Sequence, residues 1–239
     1  MKALIFAAGK GERMRPLTER RPKPLLEVGG KPLIAWHLEK LAALGVRDVV
    51  INTSWLAEQF PATLGDGSRW GLRLHYSYEG TEPLETGGGM LHALPLLRDA
   101  ADSDAPFLAI NGDIWCDADF ASLSREPQGH AHLLMVANPE QHPGGDFVLA
   151  AEGRMHADGA TKLTYSGIGV YRPSLLHNWC AVIGDAAGAG KKPPRFRLAP
   201  LLIAAMARGE IAGSLYTGVW ADVGTPARLT ELDRRLHNS

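Results

Sequence analysis

The chain has 239 residues, 45% of them hydrophobic, with 25 Lys+Arg against 26 Asp+Glu and a formal net charge of −1. That length and apolar content suit one α/β domain with a sizeable core, while the balanced charge argues against a nucleic-acid partner, which would call for a basic excess. Two cysteines, Cys116 and Cys180, are too few for a disulfide framework and fit a reducing cytoplasm, and no apolar run is long enough to span a bilayer.

Taken in chain order, residues 4–7 read as a short apolar strand that runs into Gly9-Lys10-Gly11-Glu12-Arg13, with Arg15, Arg20, Arg21 and Lys23 close behind. Small residues let backbone N–H groups close on an anion, and Arg and Lys supply the charge a polyphosphate needs. The first loop therefore reads as a nucleoside triphosphate site. It is neither of two familiar phosphate loops. Gly9-Lys10 is followed by Gly11 where a P-loop has Ser or Thr, and Met14 stands where a dinucleotide fingerprint has its third glycine. Pro16, Pro22 and Pro24 keep the loop from entering a helix promptly.

Residues 33–44 carry helical spacing with Gly45 as the stop, 48–52 a β-branched strand and 57–64 a short helix. An alternating strand at 72–78, a helix at 88–97 and a buried strand at 107–110 follow. This β-α-β-α-β order predicts an α/β fold, Rossmann-like, with a mixed, mostly parallel central sheet flanked by helices. Ligands of such sheets lie beyond the carboxyl ends of the strands, where the first loop and Asn111-Gly112-Asp113 would face one crevice. Residues 132–137, 147–150, 167–171 and 211–216 read as strands extending that sheet. His130 and His132 alternate on an apolar run and read as one face of a strand rather than as zinc ligands. Helices are expected at 200–208 and 226–236, the second starting from Thr225 as N-cap. The Gly- and Pro-rich stretch 184–197 predicts a mobile, solvated loop, with a lid or partner contact as the alternative.

Several motifs then fall into one order. Ala7-Ala8-Gly9-Lys10-Gly11-Glu12-Arg13-Met14, Pro16-Leu17-Thr18 and Pro22-Lys23-Pro24-Leu25 are followed by Leu84-Glu85-Thr86-Gly87-Gly88-Gly89, Asn111-Gly112-Asp113 and Trp220-Ala221-Asp222-Val223-Gly224-Thr225-Pro226. Together they resemble the sugar-1-phosphate nucleotidyltransferases over nearly the whole chain. Segments 82–89, 144–147 and 198–202 resemble in particular a uridylyltransferase subgroup of cell-wall recycling that acts on a lactyl-bearing amino sugar. The resemblance implies the nucleotide-diphospho-sugar transferase type of fold. It implies a single domain over residues 1–239, with a nucleotide-binding part at about 1–115 and a sugar-binding part at about 116–239. UTP and a sugar 1-phosphate are the implied substrates and Mg²⁺ the implied cofactor, with no nucleic-acid or membrane partner and an open oligomeric state. Thymidylyl or guanylyl transfer is the enzyme alternative, and a non-catalytic sugar-nucleotide sensor the other.

The implied reaction is an in-line displacement at the α-phosphorus, whose barrier is largely electrostatic and positional, so the protein needs cations and geometry. By the resemblance, the catalytic set is Arg13 on the triphosphate, Lys23 between the α-phosphate and the incoming phosphate, and Asp113. Asp113 and Asp222 would hold Mg²⁺, which prefers a few carboxylates plus water and phosphate oxygens. Ala7, Ala8, Gly9 and Gly11, with Glu85, Thr86, Gly87 and Gly88, would take the nucleotide, backbone groups reading the imide edge of uracil. Thr86 reads equally as a helix cap. Asn111, Gly145, Asp146, Tyr165, Ser166 and Gly167 would take the sugar. Asp117 and Asp119 read as an exposed turn and a helix start, and Arg20 and Arg21 as solvated. The Glu-Lys-Pro segment that many relatives carry ahead of Tyr165-Ser166-Gly167 is missing here, so no lysine on the sugar phosphate carries over. No residue stands out as the partner of a lactyl carboxylate.

Overall fold

The first apolar run forms β1 (Lys2–Phe6), with Ala3, Leu4 and Ile5 fully buried in a computed structural model that describes residues 1–237. Six more strands join it: β2 (Asp48–Thr53), β3 (Arg73–Tyr78), β4 (Phe107–Asn111), β5 (Ala131–Val136), β6 (Thr164–Tyr171) and β7 (Ile211–Leu215). The seven lie in the order β7-β5-β6-β4-β1-β2-β3. β1 pairs in parallel with β2 and β4, β2 with β3, and β5 with β7, while β6 runs antiparallel between β4 and β5. This is the mixed, mostly parallel sheet the alternation of elements predicts.

Both faces of the sheet are covered, which is why its central strands read as continuous apolar runs. Successive side chains of a strand point to opposite faces. Ala3, Ile5, Val49, Ile51, Leu108 and Ile110 accordingly fall in one core, and Leu4, Val50, Phe107 and Ala109 in the other. Helix α1 (Leu33–Ala43) covers the first core with Ile34, Leu38 and Leu41. It stops as expected, with Gly45 at φ 80. Helices α2 (Glu85–Leu97) and α3 (Ala199–Met206) cover the second, α2 with Met90, Ala93, Leu94 and Leu97 at helical spacing. Helix α4 (Pro226–His237) buries Leu232 in a third cluster with Met14, Trp115 and Val223. The Thr225 hydroxyl accepts the Arg228 N–H at 3.3 Å, the expected cap. Among the described residues no helix is long and apolar enough to cross a membrane.

Three expectations need correction. The strand placed at 147–150 does not extend the sheet: Val148–Leu149 pairs only with Met155–His156, as a separate two-stranded ribbon. Helix α2 begins at Glu85 rather than at 88, so Gly87, Gly88 and Gly89 are helical against their low propensity. A Cβ at Gly87 would lie 2.6 Å from the Phe196 ring, and one at Gly89 2.4 Å from Glu79 Oε1, so close approach decides these positions. The end of the 184–197 loop is not solvated. Phe196 is buried and stacks on Trp179 with centroids 4.9 Å apart and planes 1° from parallel.

Candidate active site

Register places the first loop in the middle of the sheet's carboxyl edge, since Phe6 pairs with Asn52 of β2 on one side and Asn111 of β4 on the other. Asn52 Oδ1 accepts the Ala7 N–H at 2.7 Å, and its Nδ2 donates to Glu79 Oε1 at 2.6 Å. Glu79 Oε2 in turn accepts the Leu84 N–H at 2.7 Å. One polar chain thus ties the loop after β1 to the start of α2, the two segments expected to read the base. Burial pushes the Glu79 carboxyl up to about 7, against the Leu84 N–H and the Asn52 amide, which favour its charged form. Sequence reasoning passed over both residues. The signal was Asn52 as a polar interruption in the otherwise apolar strand Val49-Val50-Ile51.

The loop borders a cleft of about 570 Å³ that reaches from Ala7, Gly9 and Glu79 to Asp113. Gly11, at φ 62, leads into a single 3₁₀ turn, Glu12–Met14, that is pinned by the buried Met14 and turns Arg13 into the cleft wall. Gly11 O also accepts the Thr18 hydroxyl at 2.8 Å, which fixes the loop's return. Arg13 has no ion-pair partner among the described residues. Arg21, expected to be solvated, is paired at the surface with Glu27 at 3.4 Å. Lys23 lies in the turn Lys23–Leu25 and is buried, its Nζ 2.8 Å from Asp113 Oδ2.

Asn111 and Asp113 also line a second cleft of about 210 Å³, so the two cavities meet at these residues. Asp222 reaches the second cleft on the short strand Trp220–Asp222, which pairs with Ile114–Cys116 so that Asp222 lies opposite Ile114. The Val223 N–H donates to Asp113 O at 3.0 Å, fixing the two aspartate-bearing segments together. Asp222 Oδ2 accepts from Arg228 Nη1 at 2.6 Å. Each carboxylate is thus balanced by a basic side chain. Asp119 caps the turn Phe120–Ser122 through the Ala121 N–H at 2.9 Å, and exposed Asp117 accepts from the Val219 N–H and the Tyr216 hydroxyl, so both have structural partners.

The second cleft gathers Asp146, Tyr165 and Ser166 as well. Asp146 Oδ2 accepts the Tyr165 N–H at 2.8 Å, and Gly145 turns beside it at φ 62. The Tyr165 hydroxyl points the other way, to a 2.7 Å hydrogen bond with Tyr171 in the second core, so Tyr165 offers the cleft its backbone and ring. Ser166 is fully buried; its hydroxyl accepts the Ile168 N–H at 3.2 Å and its carbonyl the Trp220 indole N–H at 2.9 Å. Its side chain therefore braces the wall. Gly167, at φ 82, lies where a Cβ would be 2.7 Å from Asn111 Nδ2, so glycine there leaves Asn111 its place.

Arg195 lines the first cleft at the head of a strap, residues 195–198, that is fastened to the start of α2. Phe196 O accepts the N–H groups of Gly87 and Gly88, both at 3.0 Å, and its N–H donates to Leu84 O at 3.1 Å. The Thr86 hydroxyl accepts the Leu198 N–H at 3.1 Å, so Thr86 fastens this strap and is not the cap of α2. Glu85 holds a left-handed φ of 63, a cost of order 1 kcal/mol for a residue with a side chain. The conformation sets its carboxylate 3.3 Å from Arg195 Nη2, and Arg195 lines the cleft beside it.

The Nucleotidyl transferase family profile matches residues 2–147. The chain is 44% identical over 238 residues to an N-acetylmuramate alpha-1-phosphate uridylyltransferase of Neisseria meningitidis serogroup B, covering 97% of this chain and 96% of the relative. It is 33% identical to the protein of the same name from Caulobacter vibrioides, over 98% of this chain and 96% of that one. A mannose-1-phosphate guanyltransferase of Yarrowia lipolytica is 36% identical over 68% of this chain and 43% of its own length. In solved structures, a protein assigned as a glucose-1-phosphate thymidylyltransferase from Bacillus anthracis shares the fold with a TM-score of 0.82, at 19% identity, over 100% of this chain and 96% of that one.

Proposed function

The chain belongs to the nucleotidyl transferase family, and on that premise we propose that it joins UTP to N-acetylmuramate α-1-phosphate, forming UDP-N-acetylmuramate and pyrophosphate in peptidoglycan recycling. The observation that carries the reading is the meeting of two clefts at Asn111 and Asp113, with Lys23 buried against Asp113 at that junction. A larger cleft edged by a glycine loop and an unpaired Arg13 suits a nucleoside triphosphate, and the smaller one suits a sugar phosphate.

In this reading the loop of Ala7, Ala8, Gly9 and Gly11 and the start of α2 at Glu85, Thr86, Gly87 and Gly88 hold the nucleotide. Arg13 neutralises the departing pyrophosphate. Lys23 draws the α-phosphate and the incoming phosphate together and balances the charge gathering between them, the preorganised electrostatic role that contributes most in phosphoryl chemistry. Asn111, Gly145, Asp146, Tyr165, Ser166 and Gly167 frame the sugar, and the phosphate oxygen of the sugar attacks the α-phosphorus opposite the leaving group. Two carboxylates from separate segments, Asp113 and Asp222, fastened through the Val223 N–H, are a hard-oxygen donor pair that fits Mg²⁺. The described residues hold no group of three or more His, Cys, Asp or Glu arranged for a metal. When bound at Asp113 and Asp222, Mg²⁺ supplies Lewis-acid polarisation of the α-phosphate.

Pyrophosphate release tests the reading, with UTP, dTTP, GTP, CTP and ATP each set against the 1-phosphates of N-acetylmuramate, N-acetylglucosamine, glucose and mannose. A dominant rate for UTP with N-acetylmuramate 1-phosphate is the expected result. A different dominant pair moves the substrate assignment, and no rate with any pair favours a sensing role for the fold.

A further inference from the structure

The smaller cleft is acidic. Asp113, Asp146 and Asp222 line it, and the one basic side chain among its described lining residues is His142. Lys23 and Arg228 are already paired with Asp113 and Asp222, so His142 is the basic side chain of this lining that a substrate carboxylate, besides its phosphate, would meet. This rests on the proposed substrate, whose lactyl group is such a carboxylate. We propose that His142, set by Asp146, is the residue that selects a carboxylate-bearing sugar phosphate over its neutral counterpart.

The placement of His142 is built. Its loop folds back on itself, the His142 N–H donating to Pro139 O at 2.9 Å and the Gly145 N–H to His142 O at 3.3 Å. Asn138 staples the loop to the opposite strand: its Nδ2 donates to Pro143 O at 3.0 Å and Lys162 O at 2.9 Å, and its Oδ1 accepts the Thr164 hydroxyl at 2.9 Å. Asp146 divides its two oxygens, one 3.0 Å from His142 Nε2 and the other accepting the Tyr165 N–H at 2.8 Å. With Nε2 engaged, Nδ1 remains without a partner among the described residues. A carboxylate on one ring nitrogen orients the ring, and the nitrogen left over, Nδ1, is the one placed to hydrogen-bond a substrate anion. Asp146 thus acts on the substrate through the histidine as well as through the loop it anchors.

The test compares kcat/KM, with UTP, for N-acetylmuramate 1-phosphate and for N-acetylglucosamine 1-phosphate, which lacks the lactyl acid, in wild type, His142→Gln and His142→Arg. We expect wild type to favour the acidic sugar, His142→Gln to lower that preference by roughly 10-fold or more, and His142→Arg to recover part of it. A merely structural histidine would change both substrates together and leave their ratio alone. Wild type that favours the acidic sugar while His142→Gln keeps the same ratio overturns the role of His142 and leaves the substrate assignment standing. Wild type that does not use the acidic sugar overturns the substrate assignment, and the role of His142 with it.

Discussion

Lys23 and Asp113, 90 residues apart in sequence, form an ion pair of 2.8 Å at the junction of the two clefts. The lysine side chain is 8% exposed and the aspartate 39%, so the cation is the fixed member and the carboxylate the one solvent can reach. A buried ammonium held by a single carboxylate is prepared to meet a phosphate in the first cleft. Lys23→Met, which keeps the stem and removes the charge, should lower kcat by roughly 10²–10³. The KM for UTP should rise less, because the lysine acts chiefly on charge that develops during transfer. Steady-state pyrophosphate release together with a thermal melt checks this. A variant that melts like wild type and turns over normally would remove Lys23 from the chemistry.

Asp113 and Asp222 are each balanced by a basic group in this structure, Lys23 and Arg228 respectively. If the pair holds Mg²⁺, chelation should abolish turnover and added Mg²⁺ or Mn²⁺ should restore it. Mg²⁺ should also raise the melting temperature of wild type by mass action, and do so less for Asp113→Asn and Asp222→Asn. Equal shifts in all three proteins would place the ion elsewhere. The melt reads binding without turnover, so it separates a lost metal site from a lost catalytic step.

The elements that were legible in the sequence are those whose burial follows one period. β1, β2 and β4 are apolar on both faces, and α1 carries its stripe at Ile34, Leu38 and Leu41. Arg13 and Lys23 were legible as motif residues after the first strand, and Asp113 and Asp222 as motif residues further along the chain, and the fold brings the last three to one junction. What local pattern could not carry is contact between distant segments. Helix α2 starts through three glycines because Phe196 and Glu79 press on them from elsewhere in the chain. The 184–197 stretch has loop composition, yet its last residues are fastened by Thr86, Gly87 and Gly88. Nothing in the local pattern around Glu79 marks it. Only its tie to Asn52 and Leu84 makes it part of the site.

Two buried groups titrate against each other. Burial pushes Glu79 up to about 7 from 4.5, and burial lowers His37 to about 4 from 6.5 despite its bond to Ile114 O. Folded Glu79 holds its proton more tightly than the unfolded chain does, so its contribution to stability is complete below about pH 4.5 and is lost as pH rises through about 7. Folded His37 holds its proton less tightly, so its contribution is complete above about pH 6.5 and is lost as pH falls through about 4. The effects are of similar size, roughly 3 kcal/mol each, and oppose each other in the shared range. Urea unfolding from pH 4.5 to 8 should therefore show a stability that rises with pH more steeply in Glu79→Gln than in wild type. In His37→Gln, which keeps a donor for Ile114 O, it should instead fall more steeply with pH. Parallel profiles in all three would contradict both assignments.

The strap at residues 195–198 makes the first turn of α2 depend on backbone more than 100 residues away, since the Thr86 hydroxyl accepts the N–H of Leu198, 112 positions further along the chain. Phe196 fills the space that glycine leaves at position 87 and stacks on Trp179 at 4.9 Å, while its carbonyl accepts two of the N–H groups that a helix start leaves without partners. Phe196→Ala removes the ring and should cost about 3–5 kcal/mol locally, in the range of buried aromatic truncations. If the strap orders the nucleotide end of the site, the KM for UTP should rise several-fold with kcat at saturation nearly kept, the pattern of lost binding common to ground and transition states. Hydrogen exchange should quicken at Gly87 and Gly88 before it does in β1 or β4, because the strap opens as a local unit and the central strands do not. Unchanged exchange at those two amides, with an unchanged KM, would mean that α2 holds its first turn without the strap.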